Sequence, residues 1–158
     1  MKHVSHSLYE AFKANKADIL NGIYSGFLTK DFHDFSVHDE GNGSKVITLS
    51  YTEAGQKNAP PSAKHVDIFI LQKSCELGEH FHKNATAQIK VINGQGTATI
   101  EQEKQRFTVH SELTFPANSI HNVKADDAEP VVFISYQDNP ILQDDGTLDY
   151  YKPKANKP

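Results

Sequence analysis

The chain is short of the residues that would tie it to a disulfide framework, a nucleic acid or a bilayer. Its single cysteine, Cys75, cannot close an internal disulfide, so the fold must stand on a hydrophobic core. At 158 residues that is feasible. A globular chain of this size buries roughly 70% of its unfolded surface and needs no staple. Arg106 is the sole arginine and the formal net charge is -4. Without guanidinium forks or a basic face, nucleic acid is not an expected partner. The same deficit removes the attraction to anionic membrane surfaces. No stretch approaches the roughly 20 apolar residues of a membrane span. The N-terminal "MKHVSHSLYEAFKANK" has no apolar core of the length a signal peptide needs. The expectation is one domain in a reducing, cytoplasmic setting, where the N-x-S/T matches at Asn42 and Asn84 are chance occurrences.

What is present divides into three stretches. Residues 1–34 read as a helical segment packing on a sheet. Ser7 followed by Glu10 forms a capping-box pattern. Leu8, Ala11, Phe12, Ile19, Leu20, Ile23, Tyr24 and Phe27 recur at helical spacing. Asn21-Gly22 interrupts the run, so the spacing allows one helix or two. From residue 35 to 140 the period changes to two. "VITLSY", "HVDIFILQKS", "AQIKVING", "GTATIEQ", "RFTVHSELTFP", "HNVKA" and "PVVFISYQ" are short strands separated by turn residues, the pattern of an all-β sandwich or barrel. Val66 to Leu71 is nearly continuously apolar, as a strand covered on both faces would be. Residues 141–158 form a polar, lysine-rich tail expected to lie over the surface or fray. Asp144-Asp145-Gly146 lacks the alternating acids of a calcium loop and reads as a turn.

The chemistry concentrates in "LGEHFHKNATAQIKVINGQG", residues 77 to 96. Side chains alternate across a strand, so His80 and His82 share a face while Phe81 points away. In "FPANSIHNV", Pro116 and Asn118 set a turn that delivers His121 at the start of the next strand. Neutral imidazole is the commonest nitrogen ligand for first-row metals. Three of them would grip one face of an ion and leave positions open for water or substrate.

Residues 78 to 125 resemble the two consecutive motifs of the cupin superfamily. Gly78, His80-Phe81-His82 and Gly94 match the first motif, and Pro116 to His121 matches the second. The resemblance implies an antiparallel jelly-roll β-barrel, here with an N-terminal helical extension, and a divalent metal ion on His80, His82 and His121. Several positions depart from the pattern. Gly78 lies nearer the histidine pair than usual, His110 and Asn118 stand where the second motif has glycine, and Ala125 replaces its asparagine. Asparagine accepts the left-handed backbone better than most residues. The first motif's acid is missing altogether. Counting back from Gly94 puts Ala87 in its place, and the apolar positions Ile89 and Val91 give 87, 89 and 91 one inward face. A bulge in "KNAT" would instead turn Gln88 or Thr86 inward.

Without the carboxylate a bound ion carries one more unit of positive charge, which favours anionic or chelating substrates. Within the superfamily, three-histidine iron centres occur among dioxygenases of thiols, diketones and aromatic acids. The resemblance therefore implies an Fe(II) dioxygenase acting on a small-molecule substrate. Zn, Ni or Mn would suit an isomerase or lyase of a sugar acid, and a metabolite- or metal-binding cupin without turnover is the remaining reading. Tyr136 is the candidate catalytic residue, since its hydroxyl could enter the pocket as donor or weak acid. Phe107, Val109, Phe115, Val123 and Phe133 are expected in the barrel walls. Cys75 has no basic neighbour to mark it as a nucleophile. Glu79 has the wrong strand parity to replace the acid, and Glu76 would sit about 13 Å from His80 in a regular strand. His3, His6, His33, His38 and His65 have no partner spacing, and His110 falls on an exposed turn. The N-terminal helix and barrel edges are compatible with a homodimer.

Overall fold

A residue that alternates between polar and apolar neighbours can bury one face of a strand, and a run without polar interruption must be covered on both. Both patterns occur in the computed structural model, which describes residues 12–14, 16–21, 34–39, 43–50, 65–139, 141 and 147–153. Among these are nine strands: β1 (Asp34–Asp39), β2 (Ser44–Ser50), β3 (His65–Leu71), β4 (Ala87–Asn93), β5 (Gly96–Ile100), β6 (Glu103–Phe107), β7 (Glu112–Phe115), β8 (His121–Ala125) and β9 (Val131–Gln137). One sheet has the order β1-β2-β3-β9-β4-β7 and the other β6-β5-β8. Every pairing is antiparallel.

β9 lies at the centre of the larger sheet between β3 and β4, and all seven of its residues are buried. In β3, Val66, Ile68, Ile70 and Leu71 are fully buried, as their continuous apolar run requires. Leu71, Val91 and Phe133 of the larger sheet join Ala98, Phe107 and Val123 of the smaller in one core. Each of the larger side chains among them stabilises the fold by about 1.5–3 kcal/mol, and the Ala98 methyl group by less. Val109, expected in the barrel wall, is instead exposed.

Gly94 turns the chain from β4 in the larger sheet to β5 in the smaller at φ +80, and a Cβ there would lie 2.4 Å from the Pro130 carbonyl oxygen. Both the backbone conformation and the close approach demand glycine. Gly94→Ala should therefore cost about 2–5 kcal/mol, the sum of left-handed strain and overpacking. A urea melt measures it, and an unchanged midpoint would contradict the close approach.

The smaller sheet continues beyond β8. Residues 75–82 run beside it through Ala125 N–H to Cys75 O (2.9 Å), Leu77 N–H to Val123 O (3.0 Å), and the bridges Glu76–Lys124 and His80–His121. Tyr151 then pairs with Phe81 on the far side, exchanging backbone bonds of 2.9 and 3.0 Å. Of the two expectations for the tail, residues 147–153 follow the first and lie over the barrel surface. They dock through an isolated antiparallel bridge, because Phe81 offers Tyr151 its backbone N–H and carbonyl.

At the other end of the chain, α1 (Lys16–Leu20) stops where the sequence places Asn21. The Asn21 N–H reaches Asp18 O at 3.0 Å, and its side-chain amide donates to Ala17 O at 2.9 Å. Phe12 is buried. Ile19 and Leu20 fall in this helix, whereas Leu8, Ala11, Ile23, Tyr24 and Phe27, with any second helix around Tyr24, lie outside the described residues.

Candidate metal centre

The three histidines meet because of one backbone pairing. His80 N–H donates to His121 O at 3.0 Å and His121 N–H to His80 O at 2.8 Å, which puts the two residues directly opposite each other. Their ring centroids are 4.3 Å apart. His82, two residues on along the same face, brings its ring to 5.1 Å from His80 and 5.2 Å from His121. All three are buried, and one ring nitrogen from each lies within 4.8 Å of the others. Among the described residues this is the cluster that could hold a metal ion. Phe81, with the opposite parity, stacks on Tyr151 at 5.5 Å.

The remaining ring nitrogens decide whether the donors fit a metal. His80 Nδ1 faces the Gly78 carbonyl at 2.7 Å, His121 Nδ1 the Ser119 carbonyl at 3.0 Å, and His82 Nδ1 the Asp149 carbonyl. A carbonyl oxygen can only accept, so each neutral ring carries its proton on Nδ1. Nε2 keeps its lone pair for an ion. Such carbonyl contacts fix tautomer and ring angle in metal-binding histidines. Gly78 reaches this geometry at φ +91, with its N–H held by Asn122 Oδ1 at 2.8 Å. Aromatic faces hold the rings from the side: Phe115 stacks on His121 at 4.3 Å and Tyr150 on His80 at 4.7 Å. The donor set, tautomers and spacing fit one divalent ion.

Burial keeps the imidazoles neutral. It is the largest influence on each ring. With repulsion from His121 and His82 added, it brings His80 from 6.5 down to about 3. His121 falls to about 4, from burial and then repulsion by His82, against the opposing Ser119 hydrogen bond. His82 is lowered by burial, which the contacts with Asp149 partly offset. Because the unfolded rings take up protons near 6.5 and the folded ones do not, stability is complete above that pH and lost as pH falls through the gap. The metal-free protein should lose about 1.4 kcal/mol per pH unit for each such ring once well below pH 6.5. Thermal melts between pH 7 and 5, above most carboxylate titrations, measure this. A flat profile would mean that the rings are hydrated.

The rings open onto a cavity of about 20 Å³, enough for an ion or a single water. Phe69, Leu77, Ile89, Phe115, Phe133 and Ile141 give it apolar walls, with Ala87 and Ser135 completing the lining.

No protein-family model matches the chain, and no curated protein sequence does. Solved structures do. A cupin-2 domain protein of Rhodospirillum rubrum superposes with a TM-score of 0.59 at 13% identity, over 77% of this chain and 75% of that one. KdgF of a Halomonas species gives 0.55 at 16% identity, over 75% and 98% of the two chains. An RmlC-like cupin of Shewanella frigidimarina gives 0.53 at 12% identity, over 70% and 93%. The fold is that of the cupins.

Within this cupin barrel the acid is absent at the place the alternation assigns to it. Ala87 and Ile89 line the cavity, while Gln88 takes the other face of β4, opposite Thr114 and Tyr136. Thr86 is engaged elsewhere. Its N–H donates to Asp138 Oδ1 at 2.9 Å, and its hydroxyl accepts from Ala117 N–H at 3.2 Å. Glu79 is exposed, and Glu76 accepts from Asn122 Nδ2 at 3.1 Å, so neither replaces the missing ligand. The Cys75 thiol abuts Gly43 rather than the cavity. His110 and Asn118 keep the left-handed backbone of the glycines they replace, at φ 76 and 68. Asn118 also anchors the second turn, donating its N–H to His82 O at 2.6 Å.

Tyr136 does not line the cavity. Phe133 and Ser135 do, and alternation puts Tyr136 on the opposite face of β9. The tyrosine that meets the histidines is Tyr150, from the C-terminal tail. Asp149 beside it is buried, with its carboxylate accepting from the N–H groups of Lys83 and Asn84, both at 2.8 Å. Neither residue carries a local signal in the sequence, since their contacts span more than sixty positions.

Proposed function

We propose that this cupin binds a divalent metal ion and acts on a small anionic organic molecule, with Fe(II)-dependent dioxygenation as its reaction. One observation carries the reading: three neutral imidazoles converge where Ala87 takes the place of an acid. A divalent ion held only by neutral donors keeps its full double charge inside an apolar barrel. An uncompensated charge in such surroundings is costly, and a chelating anion is the ligand that removes the cost.

His80, His82 and His121 would hold the ion through Nε2. The carbonyls of Gly78, Ser119 and Asp149 keep the rings turned toward it. When bound, the ion supplies a Lewis-acidic centre with open positions and, as iron, the means to engage dioxygen. Phe69, Phe115, Phe133 and Leu77 exclude bulk water from the reacting groups. The cavity holds little more than the ion, so a substrate would extend toward its open side.

Oxygen uptake by iron-loaded protein, measured across thiols, diketones and hydroxy acids, tests the reaction. Turnover without oxygen by Zn-, Ni- or Mn-loaded protein would favour a lyase or isomerase instead. The tightness of the cavity favours a second reading, a binding cupin without turnover. That reading predicts ligand-induced thermal stabilisation and no product. The charge argument has its own test in Ala87→Glu. Restoring a carboxylate should weaken anionic ligands of the metal-loaded protein about tenfold or more, as roughly 1.4 kcal/mol of added repulsion requires. Equal anion affinity in the two proteins would remove the reason for preferring an anionic substrate.

A further inference from the structure

β9 carries a second polar cluster into the barrel, next to the wall that the histidines face. Directly opposite residues of an antiparallel sheet share a face. Ser135 stands opposite Ile89 on one side and Asp67 on the other, and Gln137 stands opposite Ala87. Ser135, Ile89 and Ala87 line the cavity, so Asp67 and Gln137 belong to the same interior face. Asp67, Ser135 and Gln137 are all at most 5% exposed. Three polar side chains on the inner face of a central sheet are hard to explain as packing alone.

Their hydrogen bonds are directional. Gln137 Nε2 donates to Asp67 Oδ2 at 2.6 Å and to Ser135 Oγ at 3.0 Å, which commits both amide protons. Reversing the amide would set its oxygen against a carboxylate oxygen, acceptor against acceptor, so Asp67 fixes which way Gln137 faces. The amide oxygen, Oε1, is buried and has no hydrogen-bond partner. A buried acceptor without a donor destabilises the fold. A binding site gives such an arrangement a use.

We propose that Gln137 Oε1, aligned by Asp67 and Ser135, is a recognition subsite for an N–H or O–H donor on the substrate. The inference rests on the proposed metal site, and it narrows the substrate class. The molecule would bear an anionic group that ligates the ion and, a few bonds away, an ammonium or hydroxyl that donates to Gln137. Gln137 does not itself line the cavity; Ala87, directly opposite it, and Ser135, its hydrogen-bond partner, do, so a substrate would reach Oε1 past the Ala87 methyl group, where a longer acid would stand in the way. Gln137 is thus a binding residue, and Asp67 and Ser135 are positioning residues.

Three carboxylates with equal numbers of heavy atoms test it: 3-aminopropionate, 3-hydroxypropionate and butyrate. The full chain is loaded with Co(II), whose visible spectrum reports coordination without turnover, and each probe is titrated. Wild type should bind at least one donor-bearing probe about tenfold or more tighter than butyrate, and whichever probe is preferred tells ammonium from hydroxyl. In Gln137→Leu the preference should fall to whatever chelation alone supplies, a several-fold loss, while Co(II) affinity stays unchanged. Gln137→Met, matched in length, is read alongside it so that misfolding of one variant leaves the comparison intact. Equal affinities for all probes in a Co(II)-loaded wild type would overturn the subsite alone, as would a preference that survives in both variants. Failure of wild type to bind Co(II) would overturn the metal reading and the subsite with it.

Discussion

Substituting His121 by alanine is expected to lower the affinity for a divalent ion by more than about 100-fold. Groups that merely orient a ligand are worth about 10–100-fold in metal affinity, and His121 would be a ligand itself. The chelate would shrink to His80 and His82, which come from one strand and leave the opposite side of the ion to water. Phe115 would lose the ring stacked on it at 4.3 Å, and the space would not refill from a neighbouring strand. The fold should survive, because the His80–His121 pairing uses backbone groups that alanine retains. Calorimetric titration with Co(II) or Zn(II), beside a thermal melt of each protein, separates the two effects. A variant that binds metal like wild type would show that the three rings do not act as a site.

Asp149→Ala should act from a distance on both stability and metal binding. The carboxylate accepts from two backbone N–H groups, Lys83 and Asn84, in a position only 3% exposed. Removing it deprives two half-buried donors of their acceptor, and because water can reach them in part a loss of about 1–3 kcal/mol is expected. The 147–153 segment would keep the Phe81–Tyr151 pairing, the Asp149 N–H bond to Ile141 O at 2.8 Å, the Tyr150–His80 stacking and Lys83 Nζ, which lies 4.3 Å from the Tyr151 ring centroid. His82 depends on that segment, because its Nδ1 proton is taken by the Asp149 carbonyl. With the segment loosened, metal affinity should fall about 10–100-fold although no ligand has been touched. Asp149→Asn keeps one acceptor oxygen and should give an intermediate loss. Denaturant melts, amide exchange at Lys83 and Asn84, and a metal titration together test the coupling. Wild-type stability in Asp149→Ala would mean that the tail merely rests on the barrel.

Much of the site was legible because it follows from alternation along one strand. His80 and His82 share a face wherever their strand goes. The parity of Ile89 and Val91 assigned Ala87 to the cavity before any partner strand was known. The same rule left the parity of Tyr136 open. In "VVFISYQ" every residue is buried, since β9 is central and covered on both faces, so no polar-apolar alternation marks which side looks inward. Pairing with β3 and β4 resolves it in favour of Ser135 and Gln137. For the tail, the sequence left open whether it lies over the surface or frays, for a related reason. Its polar composition described solvent contact correctly for Leu148 and Tyr151, which remain partly exposed, but could not disclose that Asp149 has backbone donors to reach.

The sequence by itself determined the strand periods, the paired histidines, the left-handed turns and the loss of the acid, all of which arise between residues a few positions apart. Two of the three carbonyls that orient the imidazoles are equally local, from Gly78 and Ser119, each two residues before its histidine. Tertiary structure alone decided the rest: that His121 lies opposite His80, that Asp149 completes His82 from 67 positions away, and that Gln137 stands beside Ala87. These are pairings between strands, and a strand's own residues fix its faces but not which neighbour its backbone will meet.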